Sequence, residues 1–147
     1  MNPKLKSLFA NTKLNVLPQD FFIVSIPKGN LNLVKENIKN LDNEFFSVIN
    51  EKDEITLILS KQNWKKISND FKEVKIEKDY KVITFDINLN LNIVGYLAQI
   101  TKLLAKNNIS ILAVSTYLKD HILVRNKDLD KSIKALNKFI EECKTNL

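Results

Sequence analysis

The sequence predicts an α+β fold built from two β-α-β-β-α-β units in tandem, and three features of its 147 residues carry that prediction. Short alternating, β-rich runs and helix-period runs replace one another along the whole chain. Their order nearly repeats itself. No long Pro/Gly/Ser linker divides the two halves, so one compact body is expected.

Strands are predicted at 13–17, 21–26, 45–50, 54–59, 73–77, 80–87, 109–117 and 121–126, and helices at 31–41, 63–70, 94–107 and 129–143. Three helices show a single, mainly apolar stripe: Leu31, Val34, Ile38 and Leu41; Leu97, Ile100, Thr101, Leu104 and Ala105; Leu129, Ile133, Leu136 and Ile140. Each therefore has one face to bury against a sheet. Pro18 and Pro27 fall at breaks, and Gly29 lies in the first strand-to-helix loop. After the first strand the order is βαββαβ and then βαββα, so the second unit lacks a closing strand. The N-terminal strand can supply it. The expectation is one unit over 18–79 and a second over 80–147 completed by strand 13–17, each a ferredoxin-like sandwich.

Composition narrows the functional classes. A 44% hydrophobic content is enough for a real core, and Cys143 as the only cysteine excludes an internal disulfide. One histidine, His121, leaves little for a zinc site or a Ser/His/Asp triad. The stretch "MNPKLKSLFANTKLNVL" has no continuous apolar region, and no run approaches about 18 apolar residues, so a cytoplasmic protein without membrane attachment is expected. The net charge of +6 comes from lysines scattered beside acids, as in "EKDE" and "IEKDYK", which describes a solvated surface rather than a nucleic-acid face. The strands that would form an RNA-binding platform, "EITLILSK" and "HILVRNKD", hold no aromatic residue. With Gly29 and Gly95 as the only glycines, the glycine-rich phosphate loops are excluded, and paired acids such as Asp53 and Glu54 sit on a predicted hairpin without a cleft. No enzyme activity and no cofactor are expected.

Two stretches point further. "GYLAQITKLLAKNNISILAVSTYLKDHILV" resembles the second half of the small tandem ACT-domain proteins, and "FFSVINEKDEITLIL" resembles their first-half hairpin. Leu118, Lys119 and His121, and the pair Asn50-Glu51, depart from the usual pattern. The resemblance extends to the regulatory ACT pair of aspartate kinases and to a cytosolic arginine sensor. It implies a non-catalytic sensor that binds a free amino acid between paired ACT units.

A zwitterionic ligand needs donors for its carboxylate and acceptors for its ammonium. Gly95 opens the helix at 94–107, where the N–H groups of Tyr96 and Leu97 can face an anion. Asp120, with carbonyls near Asn92, Ile93 and Val94, can take the ammonium, and Ser115 and Thr116 can add hydroxyl contacts. The Ser47, Val48 and Ile49 strand is the candidate side-chain wall. Plainer roles compete: a hairpin aspartate, a packing glycine, hydroxyls bonded to their own backbone, a strand histidine, a packed Trp64 and an inert Cys143. Alternating Ile109, Ile111 and Ala113 are expected on a helix-free sheet face that a homodimer would cover, and an assembly module without ligand is the alternative function.

Overall fold

The computed structural model describes residues 1–145, and the last two residues of the predicted 80–147 unit lie outside them. The chain opens with an element that the sequence reading did not contain, the helix α1 (Pro3–Ala10). Its start is well specified: the Leu5 N–H donates to Asn2 Oδ1 at 2.8 Å, and Pro3 occupies the first turn, where a missing N–H costs nothing. Leu5 and Phe9, one turn apart, are buried. Two turns of helix are marginal alone, so only the packing surface makes this one visible.

Strand β1 (Lys13–Val16) follows, and the chain then enters a unit spanning Gln19–Tyr80. This inserted unit holds β2 (Phe21–Pro27), α2 (Leu31–Ile38), β3 (Ser47–Asn50), β4 (Glu54–Ser60), α3 (Lys61–Ile67) and the first half of β5 (Lys75–Asp86). All neighbours are antiparallel, in the order β3-β4-β2-β5. The β2–β4 register runs from Phe21 opposite Ser60 to Pro27 opposite Glu54. Val24, Ile26, Ile55, Leu57 and Trp64 form its core, so Trp64 is a packing residue. Ser60 ends β4 and caps α3 by accepting from the Asn63 N–H at 3.1 Å.

The stretches 73–77 and 80–87, expected as two strands, are one strand, β5. The signal for a break was real but local. Asp79 has φ of +65°, and along β2 the step from Phe21 to Ile23 is matched on β5 by the longer step from Tyr80 to Glu77. That extra residue is a β-bulge, which interrupts the alternation without ending the hydrogen-bonded ladder.

The remaining unit is discontinuous, joining Met1–Pro18 to Lys81 onward. It contains the second half of β5, α4 (Tyr96–Lys106), β6 (Ile111–Ser115), β7 (Asp120–Arg125) and α5 (Leu129–Thr145). β1 pairs antiparallel with β5, from Lys13 opposite Asp86 to Val16 opposite Ile83, and the strand order is β1-β5-β7-β6. With β1 counted as its fourth strand, this unit has the fourth-first-third-second order of a ferredoxin-like sandwich, and the inserted unit has the same order read backwards. Its core joins Ile83, Phe85, Ile100, Leu104, Ile122 and Leu136.

Three side-chain placements differ from expectation or sharpen it. Ile109 is buried in the helix-side core and Ile111 packs against it, so they do not form the free sheet face offered for a homodimer. The cause is the end of α4: Asn108 takes φ of +57° and the Ile109 N–H donates back to the Leu104 carbonyl at 3.0 Å, turning Ile109 inward. Cys143 is buried in the same core, and burial raises its thiol pKa, as an inert cysteine requires. No helix among the described residues is long and apolar enough to cross a membrane.

Phe9 is 1% exposed, stacks on Tyr96 at 4.3 Å and meets Phe139 edge-on at 4.9 Å. Phe9→Ala is therefore expected to lower unfolding free energy by about 3–5 kcal/mol, read from a urea denaturation curve. A loss below about 1 kcal/mol would show that α1 contributes little to this unit.

Candidate functional site

A cavity of about 280 Å³ lies wholly within the discontinuous unit. Three segments build it. The connection at residues 87–95 supplies Leu89, Asn90, Leu91 and Ile93; the start of α4 supplies Gly95, Tyr96, Leu97 and Ala98; the β6–β7 turn supplies Ser115, Thr116, Lys119 and Asp120. The corresponding connection in the inserted unit is only residues 28–30, too short to make such a wall.

The long connection is stiffened locally. Asn90 accepts from the Asn92 N–H through its side chain at 2.8 Å and from the Ile93 N–H through its carbonyl at 3.0 Å, an Asx-type turn. The Leu89 N–H donates to the Leu118 carbonyl at 2.8 Å and so ties this connection to the β6–β7 turn. Gly95 closes it with φ of +91°. A Cβ built there would meet only Leu5 Cδ2, at 3.5 Å, so conformation rather than space calls for glycine at this position. Gly29 repeats that geometry, with φ of +92°, before α2.

No side chain caps α4, whose hydrogen-bond ladder begins with the Gln99 N–H donating to the Gly95 carbonyl at 3.1 Å. The N–H groups of Tyr96, Leu97 and Ala98 precede the ladder and stand at the positive end of the helix dipole. The Tyr96 side chain turns the other way, into the core. Its hydroxyl shares a 2.7 Å hydrogen bond with Thr12 Oγ1, its ring stacks on Phe9, and burial raises its pKa so that it stays protonated.

On the opposite wall, Ser115 and Asp120 face each other across the β6–β7 ladder, and Ser115 Oγ donates to Asp120 Oδ1 at 2.7 Å. That bond orients a half-buried carboxylate while leaving most of its acceptor sites unused. Thr116 is spent on the turn: its N–H and its hydroxyl each donate to the Lys119 carbonyl at 2.9 Å. Lys119 Nζ lies 2.5 Å from Asp86 Oδ1, and that ammonium holds the Asp86 carboxyl below the usual range.

The cavity thus gathers Ile93, Gly95, Tyr96, Leu97, Ser115, Thr116 and Asp120 from the residues expected at a site. Asn92 and Val94 turn outward, toward a smaller crevice shared with Asn2, Lys4 and Leu5 of the N-terminal segment; Val94 is 84% exposed. Ser47, Val48 and Ile49 stand on β3 of the inserted unit, where Val48 packs on that unit's own core and Ile49 is exposed. Sequence reasoning missed Leu89, Asn90, Leu91, Ala98 and Lys119. The alternation of asparagine and leucine in "NLNLNIVG" was the available signal for a structured wall.

His121 borders this turn but points to the other face of the sheet, buried, with Nδ1 2.9 Å from Thr84 Oγ1. Burial lowers its pKa from the ordinary 6.5, partly opposed by the Asp120 charge and reinforced by Lys119.

The ACT-domain family model matches residues 75–138. Among solved structures, a protein from Agobacterium tumefaciens is similar at 20% identity over 88% of this chain and 89% of that one, with a TM-score of 0.68. An aspartate kinase from Clostridium acetobutylicum is similar at 15% identity and a TM-score of 0.70, covering 88% of this chain but 34% of the kinase. The regulatory subunit of aspartate kinase from Thermus flavus is similar at 9% identity and a TM-score of 0.63, covering 86% and 95%. At these identities the likenesses establish the fold. No curated protein matches the chain by sequence.

The lowered His121 pKa fixes the sign of a pH effect. The unfolded histidine binds more protons than the folded one below about pH 6.5, so its contribution is complete above that pH and is lost as pH falls toward the folded value. Acidification from about pH 7.5 to about pH 5 should lower the Tm of the native protein more than that of His121→Asn. Parallel Tm profiles for the two proteins would remove His121 as a source of acid sensitivity.

Proposed function

We propose that this chain, an ACT-domain protein by its match over residues 75–138, is a non-catalytic regulatory protein that binds a free amino acid in the cavity of its discontinuous unit. One observation carries the reading: the same cavity is lined on one side by α4 N–H groups outside the helical ladder and on the other by a carboxylate held in place by Ser115. The N–H groups of Tyr96, Leu97 and Ala98 receive the ligand's carboxylate. Asp120 receives its ammonium through charge-assisted hydrogen bonds. A volume of about 280 Å³ lies just below the roughly 300–1,000 Å³ typical of drug-sized ligands and suits a molecule of amino-acid size.

The fold likeness to the regulatory subunit of an aspartate kinase supports this direction. An RNA-binding role gains nothing, because β7 is buried from His121 through Val124 and offers no stacking platform.

Asp120→Asn keeps the size of the side chain and a hydrogen bond with Ser115 while removing the charge. By isothermal titration, with the amino acid that most raises the Tm in a screen of all twenty, affinity should fall about tenfold or more, equivalent to roughly 1.4 kcal/mol. The unliganded Tm should stay nearly unchanged. Equal affinity in the two proteins would return Asp120 to the status of a hairpin residue.

A further inference from the structure

We infer that the amino acid taken by this cavity has a neutral aliphatic side chain, that of leucine, isoleucine, valine or methionine; the inference rests on the amino-acid reading above. Once the α4 N–H groups and Asp120 are assigned to the ligand's backbone charges, what remains of the wall between them is Leu89, Leu91, Ile93, Leu97 and Ala98, with one amide, Asn90, whose Oδ1 already accepts from the Asn92 N–H at 2.8 Å. Leu91 is 70% exposed, and Leu89, Ile93 and Leu97 are half-buried, so an aliphatic side chain laid against them removes apolar surface from water on both partners. A polar side chain finds only the Asn90 amide as a partner on that wall.

Charge weighs against the ionised side chains. Among the described lining residues Asp120 is the only acid, and the ligand's ammonium occupies it. The terminal cation of lysine or arginine would enter a wall with no second carboxylate and with Lys119 nearby. The side-chain anion of aspartate or glutamate would have Lys119 as its only cation, and that ammonium is already engaged by Asp86 at 2.5 Å. Binding it would strip Asp86 of its partner. Thr116 offers no free hydroxyl proton to a polar ligand, since it donates to the Lys119 carbonyl at 2.9 Å.

A thermal-shift screen of the full chain against the twenty amino acids, followed by titration of those that respond, tests this. Leucine, isoleucine, valine and methionine should raise the Tm at lower concentration than any charged or aromatic amino acid, with a Kd for leucine at least about tenfold below that for lysine. Leu91→Asp, at an exposed position that folding tolerates, should weaken leucine about tenfold or more and make lysine binding measurable. Tighter binding of a charged or aromatic amino acid by the native protein would overturn the aliphatic class and leave the amino-acid reading standing. Unchanged leucine affinity in Leu91→Asp would equally overturn the apolar-wall assignment. No response to any of the twenty would remove both readings together.

Discussion

The discontinuous unit depends on the burial of one side chain, Tyr96. Its ring lies parallel to Phe9 at 4.3 Å with planes 6° apart, meets Phe85 edge-on at 6.2 Å, and its hydroxyl is 2.7 Å from Thr12 Oγ1. Those partners come from α1, β5 and the residue preceding β1, so one phenol joins the N-terminal segment to the sheet and to the first turn of α4. A buried phenol must keep a partner for its O–H, and Thr12 is that partner. The position of the α4 start is therefore set from behind by aromatic packing. The N–H groups of Tyr96, Leu97 and Ala98 inherit that rigidity, which is what a binding site needs from its supporting shell.

The front of the site is organised by different means. Short-range backbone and hydroxyl bonds, from Thr116 to Lys119 and from Ser115 to Asp120, fold the β6–β7 turn on itself, and the Leu89–Leu118 bond fastens the long connection to it. Hydroxyls in such turns commonly satisfy their own backbone. Thr116 does that and has little left for a ligand, whereas Ser115 directs its proton at a carboxylate. Two adjacent hydroxyls thus have separate roles, one holding the turn and the other aiming Asp120.

Much of this was legible in the sequence, and the rest was hidden for physical reasons. The α4 and α5 stripes declare their helical period and the short apolar, β-branched runs of β4, β6 and β7 declare strands, and the sequence motifs around Gly95 and Asp120 fall on residues that line one cavity. The ACT resemblance of the second stretch is borne out by the family match over residues 75–138. Helix α1 escaped because two turns carry too few apolar positions for a clear period. The bulge at Asp79 imitated the end of a strand, since a residue at positive φ breaks alternation whether or not the ladder continues. Leu89 and Leu91 were unreadable as cavity residues because a loop's leucine discloses its neighbours only through tertiary structure.

The pairing of Lys13–Val16 with the far half of β5 also sets a timetable for synthesis. By the time residue 80 has been made, every strand and helix of the inserted unit exists, while β1 still lacks the half of β5 that it pairs with. Domains generally fold as units in the order the ribosome delivers them. The nascent chain must therefore carry α1 and β1, with Leu5 and Phe9 uncovered, across the emergence of a whole intervening unit before Ile83–Asp86 arrives to pair with β1 and Tyr96 and Phe139 arrive to cover Phe9. The basic, weakly apolar character of those first residues suits that interval: it keeps the waiting segment in water until its partners exist.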